Sequence, residues 1–228
     1  MERLEPAQST MYAEPLITLL AFVVSLGFFY GHRAAFPTRL ENAAAVLDKF
    51  VGTSNRRYLA EQMRQADCVA VIPGFKKTSA GDYTAFGRGF ITCRDGDRWS
   101  PPGAIIFESS HLAVKIRNQK TDVVMLSMDS NLRRSLLSNR FTIGRDASAE
   151  WGNGKSKLVD PNSKVLFFGA AKNAFLEFDL DRAVLRPDDS GNKALYGRAA
   201  PNSEIIAGGV VGPKAAQVFV SKLNATLN

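Results

Sequence analysis

Cysteine and histidine are scarce, at two of each in 228 residues. Cys68 and Cys93 alone can make neither a disulfide-dense scaffold nor a four-cysteine zinc site. His32 and His111 leave little for metal or triad chemistry. There is no metal-ligand spacing and no G-x-S-x-G elbow. No internal repeat or low-complexity segment follows residue 32. Nothing here asks for a cofactor, a metal or an enzymatic activity. What is present is ordinary globular usage, 45% hydrophobic and 22% charged, which argues against wholesale disorder, collagen and a polytopic membrane protein. Twenty-nine basic against 22 acidic residues give a net charge of +7. That excess suits nucleic acid, an anionic membrane or plain solubility, and by itself does not choose.

Pro15 to Gly31 (PLITLLAFVVSLGFFYG) carries no charge over 17 residues, the lower limit for a spanning helix. Three readings compete: an uncleaved anchor, a cleaved signal and a buried helix. The anchor is preferred. Glu2, Glu5 and Glu14 precede the run against only Arg3, and no A-x-A site follows it. Arg33 and Arg39 would put the following domain on the cytoplasmic side, but two arginines leave the side, periplasmic or cytoplasmic, undetermined. The predicted organisation is a hydrophobic anchor or signal segment over residues 1–36 and one domain over 37–228.

In that domain Leu40, Ala43, Ala44, Leu47, Phe50 and Val51 recur at helical spacing, and Gly52 stops the helix. Ser54 can cap a second helix reaching about Ala66. Short apolar runs follow. CVAVI (68–72) is closed by Pro73-Gly74. The stretch 83–93 holds Gly87 and Gly89, which suggests a bulge or a close backbone approach. Strands are also read at 103–108, 112–117 and 122–128, with a short helix at 131–138. Strands at 164–169 and 174–180 look like a hairpin around AAKN. Pro213 opens a helix striped by Ala216, Phe219, Leu223 and Leu227. The expected class is α+β: a curved antiparallel sheet or partly closed β-barrel, with N-terminal helices and a C-terminal helix.

Several motifs dissolve on inspection. AEWGNGKS (149–156) fits a permissive phosphate-loop expression, but Asp160-Pro161 leaves no room for the helix that such a loop must open. DDSGN (188–192) lacks calcium-loop spacing and reads as a surface turn. Cys68 and Cys93 lie on neighbouring predicted strands as small buried residues, and an oxidising compartment would let them bridge. His111 has no partner in sequence, and Asp179 and Asp181 read as a solvated face. Nucleic acid would want basic residues interleaved with exposed aromatics, whereas the phenylalanines fall inside apolar strands.

The basic residues cluster early. Between His32 and Arg64 stand Arg33, Arg39, Lys49, Arg56, Arg57 and Arg64 against Glu41, Asp48 and Glu61. A net of three, at about 1 kcal/mol each near an anionic surface, cannot hold a membrane alone but can select lipids for an anchored domain. Lys76 and Lys77 add a second cluster after Pro73.

Several pieces together resemble the SYLF domain, a lipid-binding family, from about residue 39 to 223. They are ADCVAVIP (66–73), FGRGF (86–90), RDGDRWSPP (94–102), DVVML (122–126), GRDASAEWGNG (144–154), AFLEFDLD (174–181) and Tyr196-Gly197. Two stretches depart from the family pattern: HLAVKIR (111–117) lacks its glycines and glutamine, and VLFFG (165–169) lacks its tyrosine-serine pair. The chain thus resembles a divergent member of the bacterial type. The resemblance implies binding without catalysis, of phosphoinositide-like anionic lipids, and its hydrophobic segment makes an actin role improbable. The expectation is a membrane-associated domain whose Arg39, Lys49, Arg56, Arg57, Lys76 and Lys77 face anionic headgroups. The alternative is an envelope scaffold with a protein partner.

Overall fold

Runs such as CVAVI, GAIIF and VVML are apolar at every position rather than alternating, and a strand of that kind must be covered on both faces. The computed structural model bears this out. It describes residues 35–51, 56–77, 85–109, 120–151, 164–171, 174–175 and 182–225. The chain opens with two helices, α1 (Ala35–Val51) and α2 (Arg56–Gln65). Then come β1 (Cys68–Lys77), β2 (Ala85–Asp95), β3 (Arg98–Trp99), β4 (Gly103–Ser109) and β5 (Thr121–Ser127). A 3₁₀ turn (Ser130–Leu132) runs into α3 (Arg133–Leu136). The short strands β6 (Phe141–Thr142) and β7 (Ala149–Trp151) precede β8 (Val165–Ala171), β9 (Ala174–Phe175) and β10 (Val184–Pro187). Three helices follow: α4 (Asp189–Tyr196), α5 (Asn202–Ile206) and α6 (Lys214–Ala225).

The strands form one curled, half-barrel sheet in the order β6-β10-β4-β2-β1-β5-β8-β7, with β3 on β2 and β9 on β8. All pairings are antiparallel except β7 with β8. Within β1, Cys68, Ala70, Ile72 and Phe75 join one buried cluster, whose inner members include Phe107, Phe141 and Phe167. Val69 and Val71 join the other, beneath Leu40, Leu47 and Phe50 of α1, Met63 of α2 and Phe219 of α6. The α+β class and the curled sheet with helices at both ends of the domain are as expected. The described fold is that of one unit, Phe36–Asn228.

Some local expectations change. α1 reaches back to Ala35, into the span read as the anchor or signal segment, and holds Pro37 in its first turn, where amides lack partners anyway. Pro73-Gly74 does not close β1, which continues to Lys77. DDSGN is no surface turn: Asp188, 3% exposed, caps α4 by accepting from the Gly191 amide, and Asn192 is fully buried. The hairpin at AAKN is tighter than read, pairing Ala171 with Ala174. Of the false phosphate loop, Ala149–Trp151 is a strand. The expected strand 112–117, His111, Asp179 and Asp181 lie outside the described residues, as does the run Pro15–Gly31. Among the described residues, no helix is long and apolar enough to cross a membrane.

Candidate functional site: a basic groove beside a β-bulge

Side chains alternate along a strand, so one extra residue reverses every assignment beyond it. That reversal builds the site. β1 pairs with β2 at Val71–Phe90 and resumes at Lys76–Phe86, with one residue more on β1 than on its partner. Against β5 the shift lies between Ile72 and Phe75. Without the bulge, Ile72, Gly74 and Lys76 would share a face and Lys76 would enter the phenylalanine core. With it, Phe75 takes the core position, fully buried and 5.3 Å from the Phe107 ring. Lys76 is exposed on the helix side instead.

The bulge presses β1 onto β2, and only glycine tolerates the approach. A Cβ on Gly87 would lie 2.5 Å from Ile72 Cγ2, and one on Gly89 would collide with the Val71 carbonyl oxygen. The two glycines read from sequence as a bulge or a close approach are therefore its counterpart.

A groove of about 740 Å³ runs between this region and α1. Arg39, Asn42, Val46 and Lys49 recur on one side of α1 and form one wall. Pro73, Gly74, Lys76, Phe86, Arg88, Lys120 and Asp122 supply much of the rest. Ten residues separate Arg39 from Lys49, so the helical wall is about 15 Å long. Among the described residues the lining carries five cationic side chains and a single carboxylate.

Two groups of charge stand along it. At one end, burial first and Arg88 second depress the Arg39 pKa, opposed by Asp188. Arg88 lies 3.7 Å from Asp188 and sits over the Phe86 ring. Next to these strands Arg186 makes a two-pronged pair with Glu108, at 2.7 and 3.1 Å. At the other end Lys49 donates to Asp122 Oδ2 at 2.7 Å, and the Gly74 amide donates to Asp122 Oδ1 at 3.0 Å. Neither Lys76 nor Lys120 has an ion-pair partner among the described residues.

Of the six residues singled out from sequence, the structure brings Arg39, Lys49 and Lys76 together in this groove. Arg57 is exposed on α2 and does not line it. Arg56 opens α2 and Lys77 ends β1, and their side chains lie outside those described. Sequence reasoning missed Arg88 and Lys120. Arg88 had a signal: in FGRGF it alternates with Phe86 and Phe90, and so shares their face.

The RDGDRW stretch is elsewhere and holds the fold. Arg94 stacks on Trp99 with its guanidinium carbon 4.0 Å from the ring centroid. It also donates to the carbonyls of Met63, Arg64 and Ala66 at the end of α2. Cys68 and Cys93, directly paired across β1 and β2, form a disulfide. Beside it Arg133 makes a two-pronged pair with Asp67.

The described residues thus form a curled sheet packed by helices, with a cation-lined groove beside α1. Residues 111–226, about half of the chain, match the Ysc84 family, described as "Las17-binding protein actin regulator". The chain belongs to this family, that of the SYLF domain, whose members are generally non-catalytic binding domains. The stretches 66–73, 86–90 and 94–102, where the resemblance was strongest, lie ahead of the matched span. No curated protein and no solved structure matches the chain.

Proposed function

We propose that this chain is a non-enzymatic domain that binds anionic, phosphoinositide-like lipid headgroups at a membrane surface. The observation that carries the reading is the groove, where Arg39, Lys49, Lys76, Arg88 and Lys120 face one space with Asp122 as the only lining carboxylate among the described residues. A net of four charges, at about 1 kcal/mol each near an anionic surface, amounts to roughly millimolar affinity. That suffices for a domain already held at the bilayer, where the effective headgroup concentration is high. The hydrophobic run Pro15–Gly31 is the proposed means of attachment. The Cys68–Cys93 bridge favours the oxidising side of that membrane, because cytosolic thiols are kept reduced. Arg33 and Arg39 would by themselves indicate the opposite side.

The test is co-sedimentation of the full chain with phosphatidylcholine vesicles, with and without phosphatidylinositol 4,5-bisphosphate. The anchor makes some pelleting common to both, so the readout is the excess on the anionic vesicles. That excess should fall with salt and with the double change Lys76→Glu, Lys120→Glu. Equal pelleting on both vesicle types at low salt overturns the reading.

A second reading, a protein-binding scaffold, has one observation in its favour. Val211 and Val218 are 93% and 47% exposed around the start of α6. Partner capture that survives high salt and is lost in Val211→Ser, Val218→Ser would support it. An actin role is not proposed.

A further inference from the structure

The groove already holds an anion of the chain's own. At the bulge, two residues of β1 oppose one of β5, which is Asp122. Gly74 sits there with φ +61°, and its amide donates sideways to the Asp122 carboxylate. The same carboxylate accepts from the Lys49 ammonium on α1. The Lys120 side chain passes 3.6 Å from where a Gly74 Cβ would stand, and Lys76 lies in the same lining. A main-chain N–H that donates sideways in a groove lined by Lys49, Lys76 and Lys120 can equally donate to a phosphate oxygen. Here a carboxylate takes that place.

We propose that Asp122 is the specificity-determining residue of the groove, a resident anion that an incoming ligand must displace from Lys49 and the Gly74 amide. The proposal rests on the anionic-headgroup reading above. Its consequence is a choice between two classes of phosphate. A phosphodiester brings one negative charge and replaces another single charge, so the exchange yields little. A phosphomonoester brings between one and two charges and three strong acceptor oxygens. The exchange then favours the ligand, and Lys76 and Lys120 supply the added countercharge. Asp122 thereby rejects diester headgroups and admits monoesters.

The experiment compares the full chain on phosphatidylcholine vesicles carrying phosphatidylglycerol, a diester, or phosphatidic acid, a monoester, matched in surface potential. Wild type should bind the monoester vesicles several-fold better. Asp122→Asn keeps an acceptor for the Gly74 amide but removes the charge. It should tighten phosphatidylglycerol binding about tenfold, or about 1.4 kcal/mol, and erase the preference. Lys49→Gln should cost more in the Asp122→Asn background than in wild type, because Asp122 otherwise neutralises Lys49. Added glycerol 3-phosphate separates the sources. Loss of the excess binding to phosphatidic acid vesicles at headgroup-equivalent concentration assigns the site to soluble phosphomonoesters, and persistence of that excess assigns it to lipids.

Anionic binding without monoester preference, or an Asp122→Asn variant that binds phosphatidylglycerol no better, overturns the proposal while leaving anionic binding intact. No anionic preference in either protein removes both. Should Asp122→Asn fail to fold, the wild-type comparison of the two vesicles decides.

Discussion

Two side chains show how much of this fold rests on single groups. The Arg94 guanidinium sits over the Trp99 ring while its N–H groups reach three carbonyls at the end of α2. A planar fork can do both, and a lysine ammonium cannot. Arg94→Lys should therefore lower stability by about 1–2 kcal/mol, read from the urea midpoint. Since Arg94 does not line the groove, vesicle binding of the folded fraction should be unchanged. Gly89 is more demanding, because a methyl group there has nowhere to go except into the backbone of β1. Gly89→Ala should cost about 3 kcal/mol or more, with the loss appearing in thermal unfolding.

Among the elements, the β1–β2 pair is fastened at one end and distorted at the other. The disulfide joins Cys68 to Cys93 where the ladder begins, and the bulge lies towards Lys76. Twenty-five residues separate the two cysteines. Opening a loop of that length should cost about 3 kcal/mol through the entropy returned to the unfolded chain. Unfolding with and without reductant, or of the double variant Cys68→Ala, Cys93→Ala, measures it. The second fastening is a buried amide network. Asn192 accepts from the Ala104 amide at 2.7 Å and donates to the Ala200 carbonyl and to Asn202, which donates back to the Ala104 carbonyl. It ties α4 and α5 to β4. Asn192→Ala strands several buried partners and should destabilise by about 3 kcal/mol in chemical denaturation.

For the molecule as a whole, the net charge of +7 makes every interaction with an anionic surface dependent on salt. Acid acts through the carboxylates. Asp146 is held below its ordinary pKa chiefly by Arg145, and Asp129 chiefly by the Asn131 amide. A carboxyl depressed in the folded state stabilises it above the unfolded pKa and loses that contribution as pH falls through the folded one. The melting temperature should thus hold steady near neutrality and decline below about pH 4. A melting curve that improves on acidification would contradict these pairings.

Much of this was open to reading from the amino-acid order alone. Helical spacing at Leu40, Ala43, Leu47 and Phe50, and at Ala216, Phe219 and Leu223, identifies two helices that bury those stripes. Uniformly apolar runs identify β1, β4, β5 and β8 because a strand covered on both faces needs no polar side. Composition alone puts no weight on metal or triad chemistry, and the ordered pieces from ADCVAVIP to Tyr196-Gly197 point to the family. Other features depended on contacts distant in sequence. β6, β9 and β10 are too short to carry a periodicity, and Pro73-Gly74 has the same letters whether it ends a strand or bulges within one. Only pairing with β2 and β5 settles that, and the pairing in turn sends Phe75 into the core and Lys76 into the groove. The groove exists because a helix near the start of the domain lies beside that bulge, bringing Arg39 and Lys49 to Arg88, Lys120 and Asp122. No local pattern encodes a juxtaposition across 83 residues of chain, since it arises only when both sheet faces are buried.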